Sequence, residues 1–171
     1  MTERARNRTP VPRIAALMSR AFVREPEGGE AFEDLPDRPI SQHPNYVTPE
    51  GLARIEAEAA RLEAELSGLS PENKADRARV SRDLRYWSLR KTSAQLVDEA
   101  PDGETVRFGA TVTVLREDDT RQTFRIVGED EADPNAGSIS YVAPLARALT
   151  GKSVGDTVTV NGNEFEIAEI R

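Results

Sequence analysis

The sequence predicts an α+β chain, an N-terminal antiparallel α-helical coiled-coil hairpin joined to a small antiparallel-sheet domain. Three observations predict it. Apolar residues recur about every 3.5 positions through residues 48–98. The apolar period switches to two after residue 105. An Asn161-Gly162 pair separates two strand-like runs near the end, the strongest hairpin signal in the chain. The expected units are an extended or disordered leader at 1–47, the coiled-coil hairpin at 48–98 and the sheet domain at 99–171.

The leader carries prolines at 10, 12, 26, 36, 39 and 44 and a Gly28-Gly29 pair. Its one apolar run is Ile14–Val23, which suggests a helical turn at 13–22. Residues 1–24 hold six Arg against one Glu, and residues 25–47 hold one Arg against six acids. The basic start reads as a solvated tail before it reads as a nucleic-acid contact.

Thr48-Pro49-Glu50 starts a helix, with an N-cap Thr, Pro at the first helical position and an acid in the first turn. Leu52, Ile55, Ala59, Leu62, Leu66 and Leu69 form its seam. Gly68 ends this helix, and Ser70-Pro71 offers a cap and first position for the next. The second seam is Val80, Leu84, Trp87, Lys91 and Ala94. The first arm has net charge −3 over Thr48–Leu69 and the second +4 over Ser70–Val97, so the arms are expected to fold back on each other. At about 20 residues per arm and 1.5 Å per residue, the hairpin projects roughly 30 Å.

In the sheet domain, Val106, Phe108, Ala110, Val112 and Val114 alternate with polar or small residues, predicting one strand over 106–114. Glu117-Asp118-Asp119 makes a turn, and Thr123–Val127 returns and stops at Gly128. Glu129, Asp130, Glu131 and Asp133 follow as an acidic loop before a short strand near Ile139–Val142 and a helical turn at Pro144–Leu149, closed by Gly151. Four carboxylates between two strands read as an exposed docking surface that the fold itself does not require.

Composition excludes several chemistries. With no Cys and one His, His43, there is no disulfide frame, no Cys-based zinc site and no cluster of His ligands. The sequence has no run of 18 apolar residues and no secretory h-region, and a cytoplasmic protein is expected. Residues 98–171 hold fifteen acids against seven basic residues, which disfavours direct DNA binding and favours a basic protein surface as partner.

The runs V-R-F-G-A-T-V-T-V at 106–114, I-V-G-E-D-E-A-D at 126–133, P-L-A-R-A-L-T-G-K at 144–152 and V-G-D at 154–156 resemble the C-terminal domain of the Gre transcript-cleavage factors. The resemblance covers residues 48–171, hairpin included. It implies an FKBP-like C-terminal domain that docks on the rim of the secondary channel of bacterial RNA polymerase while the coiled coil enters the channel. It further implies an accessory factor with no catalytic residues of its own, expected as a monomer without membrane contact and touching the complex's RNA and DNA only indirectly. The cleavage chemistry belongs to the polymerase, and the factor has no cofactor beyond an Mg2+ that tip carboxylates help hold in the polymerase active site. The polymerase-docking residues that it points to are Asp130, Glu131, Pro144 and Arg147.

The tip departs from the family pattern. The family reads Gly-Asp-x-Ser-Glu-Asn, whereas this chain reads Gly68-Leu69-Ser70-Pro71-Glu72-Asn73-Lys74-Ala75-Asp76, without the Asp after Gly. Ala143 also stands where the family has Ser before the Pro. Both arms are shorter than in a typical cleavage factor, and about 10 residues per arm removes roughly 15 Å of reach. The expectation is therefore a polymerase-binding elongation factor whose cleavage stimulation is weak or lost. Precedent lies in a short-coil relative, the nucleoside diphosphate kinase regulator type. The alternative is an active cleavage factor with a rebuilt acidic tip, Glu72 and Asp76, on one face of the second helix. A peptidyl-prolyl isomerase is disfavoured, since residues 105–171 hold only Phe108, Phe124, Tyr141 and Phe165 to line a pocket.

Overall fold

The computed structural model describes residues 35–98 and 102–171. The helical turn expected at 13–22 and the start of the interdomain joint at 99–101 lie outside the described residues. Among the described residues no helix is long and apolar enough to cross a membrane.

The hairpin is built from α1 (Pro49–Gly68) and α2 (Lys74–Ser93), each of 20 residues. Each arm is therefore about 30 Å long. Thr48 caps α1, its hydroxyl accepting from the Gly51 N–H at 3.0 Å. The α1 seam forms as its spacing demands, with Ile55, Ala59 and Leu62 buried and Leu52 and Leu66 half-buried.

On α2 the seam starts as expected at Val80, Leu84 and Trp87 and then slips by one residue. Arg90 is the buried position, at 2% exposure, while Lys91 lies outside and reaches Glu56 of α1 at 3.5 Å. Burying a guanidinium requires a partner for it, and that partner comes from the other domain. The tip also differs from expectation. Ser70-Pro71-Glu72-Asn73 is a β-turn closed by the Asn73 N–H to the Ser70 carbonyl at 3.0 Å, so α2 begins at Lys74 with Asn73 as its N-cap. Arg77 then donates to the Leu66 and Leu69 carbonyls at 3.2 and 3.0 Å, satisfying the open end of α1. Cross-arm ion pairing occurs at Arg79–Glu65, 3.1 Å, and Lys91–Glu56, both exposed and each contributing under about 1 kcal/mol. The hydrophobic seam holds the arms together.

At the hairpin base, β1 (Tyr46–Val47) pairs in parallel with β2 (Gln95–Leu96). The end of the segment expected to be an extended leader is therefore part of the fold, with Asn45 and Val47 buried.

The sheet domain contains β3 (Thr111–Arg116), β4 (Arg121–Val127), β5 (Ser138–Ser140), α3 (Pro144–Leu149), β6 (Thr157–Val160) and β7 (Asn163–Ile170). The strand order is β5-β4-β3-β7-β6, antiparallel except that β5 runs parallel to β4. The single strand expected over 106–114 is broken. A turn at Phe108–Gly109, with Gly109 at φ 85°, separates Val106 from β3, and Val106 pairs instead with the Gly151–Lys152 backbone. The period of two survives the break, because Val106, Ala110, Val112 and Val114 all remain fully buried. Asn161 and Gly162, at φ 51° and 81°, form the turn between β6 and β7. The core lies between the sheet and α3, around Val112, Val114, Ile126, Leu149 and Ile167.

Candidate functional site

The acidic loop that follows β4 is the place where the two halves of the molecule meet. Asp130 accepts from the Tyr86 hydroxyl at 2.6 Å and from Arg90 Nε, both on α2. The Arg90 and Asp130 side chains are only 3% and 10% exposed. Glu129 approaches the same guanidinium at 3.9 Å. Burial, together with the Asp130 carboxylate it donates to, pushes the Tyr86 phenol up to about 12. Asn45 closes the back of this cluster, its amide donating to the Arg90 carbonyl at 2.7 Å and to Ser93 Oγ at 3.2 Å.

Glu131 performs a different task on α1. Its carboxylate accepts from the Thr48 N–H at 2.9 Å, the Thr48 hydroxyl at 2.6 Å and the Gly128 N–H at 3.3 Å. In an ordinary capping box, the helix's own third residue reaches back to the N-cap N–H. Here that third residue is Gly51, which has no side chain, and Glu131 from the sheet domain supplies the carboxylate. A Cβ on Gly51 would overlap the Glu131 carboxyl group. Gly128 is tied to the same geometry, since a Cβ there would lie 2.5 Å from the Tyr46 carbonyl oxygen and 2.8 Å from Glu131 Oε1. Its glycine serves close approach and not merely the end of a strand.

An aromatic cluster completes the joint. Tyr46, Phe108 and Tyr141 meet edge to face with centroids 5.4–6.0 Å apart, and the Tyr141 hydroxyl donates to the Pro44 carbonyl. Arg125 on β4 also reaches Glu50 of α1 at 3.2 Å.

These positions correct the expectation of an exposed acidic docking surface. Glu131 is buried, the Asp130 side chain is only 10% exposed, and both are bonded within the chain, so neither offers a free carboxylate to a partner. Pro144 and Arg147 are exposed on α3, and no ion pair involves Arg147 among the described residues. Gly51, Tyr86 and Arg90 were missed from the sequence, and Thr48 was legible only as a helix cap and not as a partner of Glu131. A glycine at the third position of an otherwise well-formed helix was the available signal, since it weakens a helix unless something must come close.

The tip is built in the opposite way. Glu72 lies in the exposed turn and Asp76 in the exposed first turn of α2, 4.0 Å from the Arg79 guanidinium. Among the described residues, no three His, Cys, Asp or Glu side chains group as a metal site. Mg2+ asks for six oxygen ligands in octahedral array, and two carboxylates beside a guanidinium do not make such a site alone.

Comparison with known proteins finds similar chains. The family model for the C-terminal domain of the transcription elongation factors GreA and GreB matches residues 100–171. The transcription elongation factor GreA of Rhodospirillum rubrum is 37% identical over 152 residues, covering 73% of this chain and 96% of that protein. The GreA of Beijerinckia indica is 35% identical over 158 residues, covering 87% of this chain and 96% of that protein. Among solved structures, the GreA factor homolog 1 (Gfh1) protein of Thermus thermophilus matches at 19% identity and a TM-score of 0.38, covering 75% of this chain and 99% of that one. With a sheet domain that fits the family model and curated relatives spanned over nearly their whole length, this chain belongs to the GreA/GreB family of transcription elongation factors.

Proposed function

We propose that this chain is an accessory factor of bacterial RNA polymerase that docks at the rim of the secondary channel, with its hairpin directed inward and its stimulation of RNA cleavage weak or lost. The observation that carries the reading is the hairpin itself: two 20-residue arms ending in an exposed turn. Reach supports this reading. A tip about 10 residues short per arm stops roughly 15 Å early, whereas a metal–carboxylate contact must close to about 2.1 Å.

Docking falls to the exposed face of α3, where Pro144 sets the helix start and Arg147 presents a charge. Asp130 and Glu131 contribute by holding the hairpin at a fixed angle to that face. The factor acts in the cytoplasm as a monomer, touches nucleic acid only through the complex, and leaves the chemistry to the polymerase. Any Mg2+ involved is held by polymerase ligands.

The test uses purified polymerase core and stalled, backtracked complexes. The expected result is measurable binding, weakened at least tenfold by Arg147→Glu, with little acceleration of RNA cleavage at saturating factor. Absence of binding to core overturns the docking reading. Strong cleavage that disappears in Glu72→Ala overturns the tip reading and establishes a rebuilt acidic tip of Glu72 and Asp76.

A further inference from the structure

We propose that the outer edge of β6 is an interaction surface that takes up an extended, basic segment of a partner protein as an added strand of the sheet. The two edges of this sheet are finished differently. At the β5 edge the outward backbone groups are used within the chain. The Ser138 N–H donates to the Asp133 carbonyl at 3.0 Å, and the Ser140 carbonyl accepts from the Ala143 N–H at 2.9 Å. At the β6 edge the Asn161-Gly162 turn sets the alternation. Val160 and Val158 form the bonded pairs with Asn163 and Phe165, so the N–H and C=O groups of Thr157 and Thr159 point away from β7. Among the described residues those outward groups have no hydrogen-bond partner, and both threonines are exposed. The strand reads Thr-Val-Thr-Val, with neither the charge nor the proline that commonly blunts an open edge.

Charge selects the occupant. Glu164 and Glu166 of β7 lie directly opposite Thr159 and Thr157, on the solvent face. Glu117 and Asp119, from the turn between β3 and β4, reach the same place. The four carboxylates line an open trough of about 350 Å³ whose one cation is Arg116, 5.8 Å from the Phe165 ring centroid. None of the four has an ion pair among the described residues. From this end of the sheet β4 runs to the joint at Gly128, so a segment bound here leaves the hairpin's attachment untouched.

Strand geometry sets the pattern of the partner. An added strand lies about 5 Å from β6 and about 10 Å from β7. Its residues beside Thr157 and Thr159 share the solvent face with Glu166 and Glu164. Threonine is short, so a lysine or arginine placed there reaches over it to the carboxylate beyond. The residues between them face the opposite side, beside Val158 and Val160. The partner segment therefore carries basic residues at every second position, with apolar residues between. A second copy of this chain does not fit, since its β6 has no basic residue and edge-to-edge pairing would bring Glu164 and Glu166 of each copy together. The same carboxylates repel nucleic acid.

Amide hydrogen exchange on the full-length chain tests this without polymerase. The probe is a short peptide of alternating arginine and valine, blocked at both ends. At saturation it should slow exchange of the Thr157 and Thr159 amides at least tenfold, and leave those of Val158 and Val160, already bonded to β7, unchanged. Thr159→Pro removes one outward donor at an edge position where proline is tolerated, and should weaken binding at least tenfold. Glu164→Lys with Glu166→Lys should weaken it as much while the edge stays open. If Thr159→Pro does not fold, the lysine variant and the amide protection decide by themselves. Failure of the arginine peptide to bind, protection confined to other amides, or equal binding by a peptide with glutamate in place of arginine overturns the proposal. Dimers of the parent chain that dissociate in Thr159→Pro also overturn it, by making a second copy the occupant.

Discussion

Carboxylates stand at both ends of the hairpin, about 30 Å apart, and the two pairs differ in nearly every physical respect. At the base, Asp130 and Glu131 are enclosed, and each is bonded to a different arm, Asp130 to α2 and Glu131 to α1. At the tip, Glu72 and Asp76 are exposed, and Asp76 has only a distant, solvent-screened guanidinium nearby. Acidic residues in a loop therefore have no single meaning. What distinguishes the pairs is whether a buried donor waits for them. At the base the donors are the N-cap of α1 and a guanidinium placed in the seam of α2; at the tip there are none.

The largest effect is expected at the Arg90–Asp130 pair. Asp130→Ala leaves a nearly buried guanidinium without its main partner, and should destabilise the fold by about 3–5 kcal/mol in denaturant titration. The Arg90→Met, Asp130→Leu double variant should be markedly more stable than Asp130→Ala, since no uncompensated charge remains. Equal losses in the two would show that packing, not charge, dominates the joint.

The second effect is at the shared cap. Glu131→Ala removes the acceptor for three donors around Thr48 and Gly128 and should cost about 2–3 kcal/mol. Gly51→Ala should cost about 1–3 kcal/mol by forcing the Glu131 carboxyl aside. The two losses should be strongly non-additive, because both act through one carboxylate.

A third test is alkaline pH. The Tyr86 phenol has its folded-state pKa raised from 10.0 to about 12. Its stabilising contribution is therefore complete below pH 10 and is lost as pH rises toward 12. Unfolding curves should weaken across that window in the parent chain and less so in Tyr86→Phe. The smallest effects are expected at the tip, where Glu72→Ala and Asp76→Ala should each change stability by less than about 0.5 kcal/mol.

The legibility of the chain follows the same division. Both arms, the turn between β6 and β7, and α3 were readable because their signals are local: a 3.5-residue seam, an Asn-Gly pair, a proline start with a closing glycine. The joint was not, because its partners are remote in sequence. Thr48 meets Glu131 across 83 positions and Arg90 meets Asp130 across 40. The heptad spacing puts Lys91 in the seam and leaves its neighbour Arg90 outside it. A one-residue slip at the end of a seam costs a pattern argument little, yet it decides which cation is buried. The break at Phe108–Gly109 was hidden for the opposite reason, since the alternating burial continues across it. The short strand near Ile139–Val142 was readable and lies at Ser138–Ser140, but its parallel pairing with β4 was not, because three residues carry no sign of direction.

The central claim is that the acidic loop fixes the hairpin's angle to the docking domain. Spin labels at Glu72→Cys and Arg147→Cys, on a chain free of other cysteines, measure that geometry directly by pulsed electron resonance. A single narrow distance distribution is expected in the otherwise unchanged chain, broadening when Asp130→Asn and Glu131→Gln are added. A distribution that is broad from the start, or one that stays narrow after both changes, would contradict it.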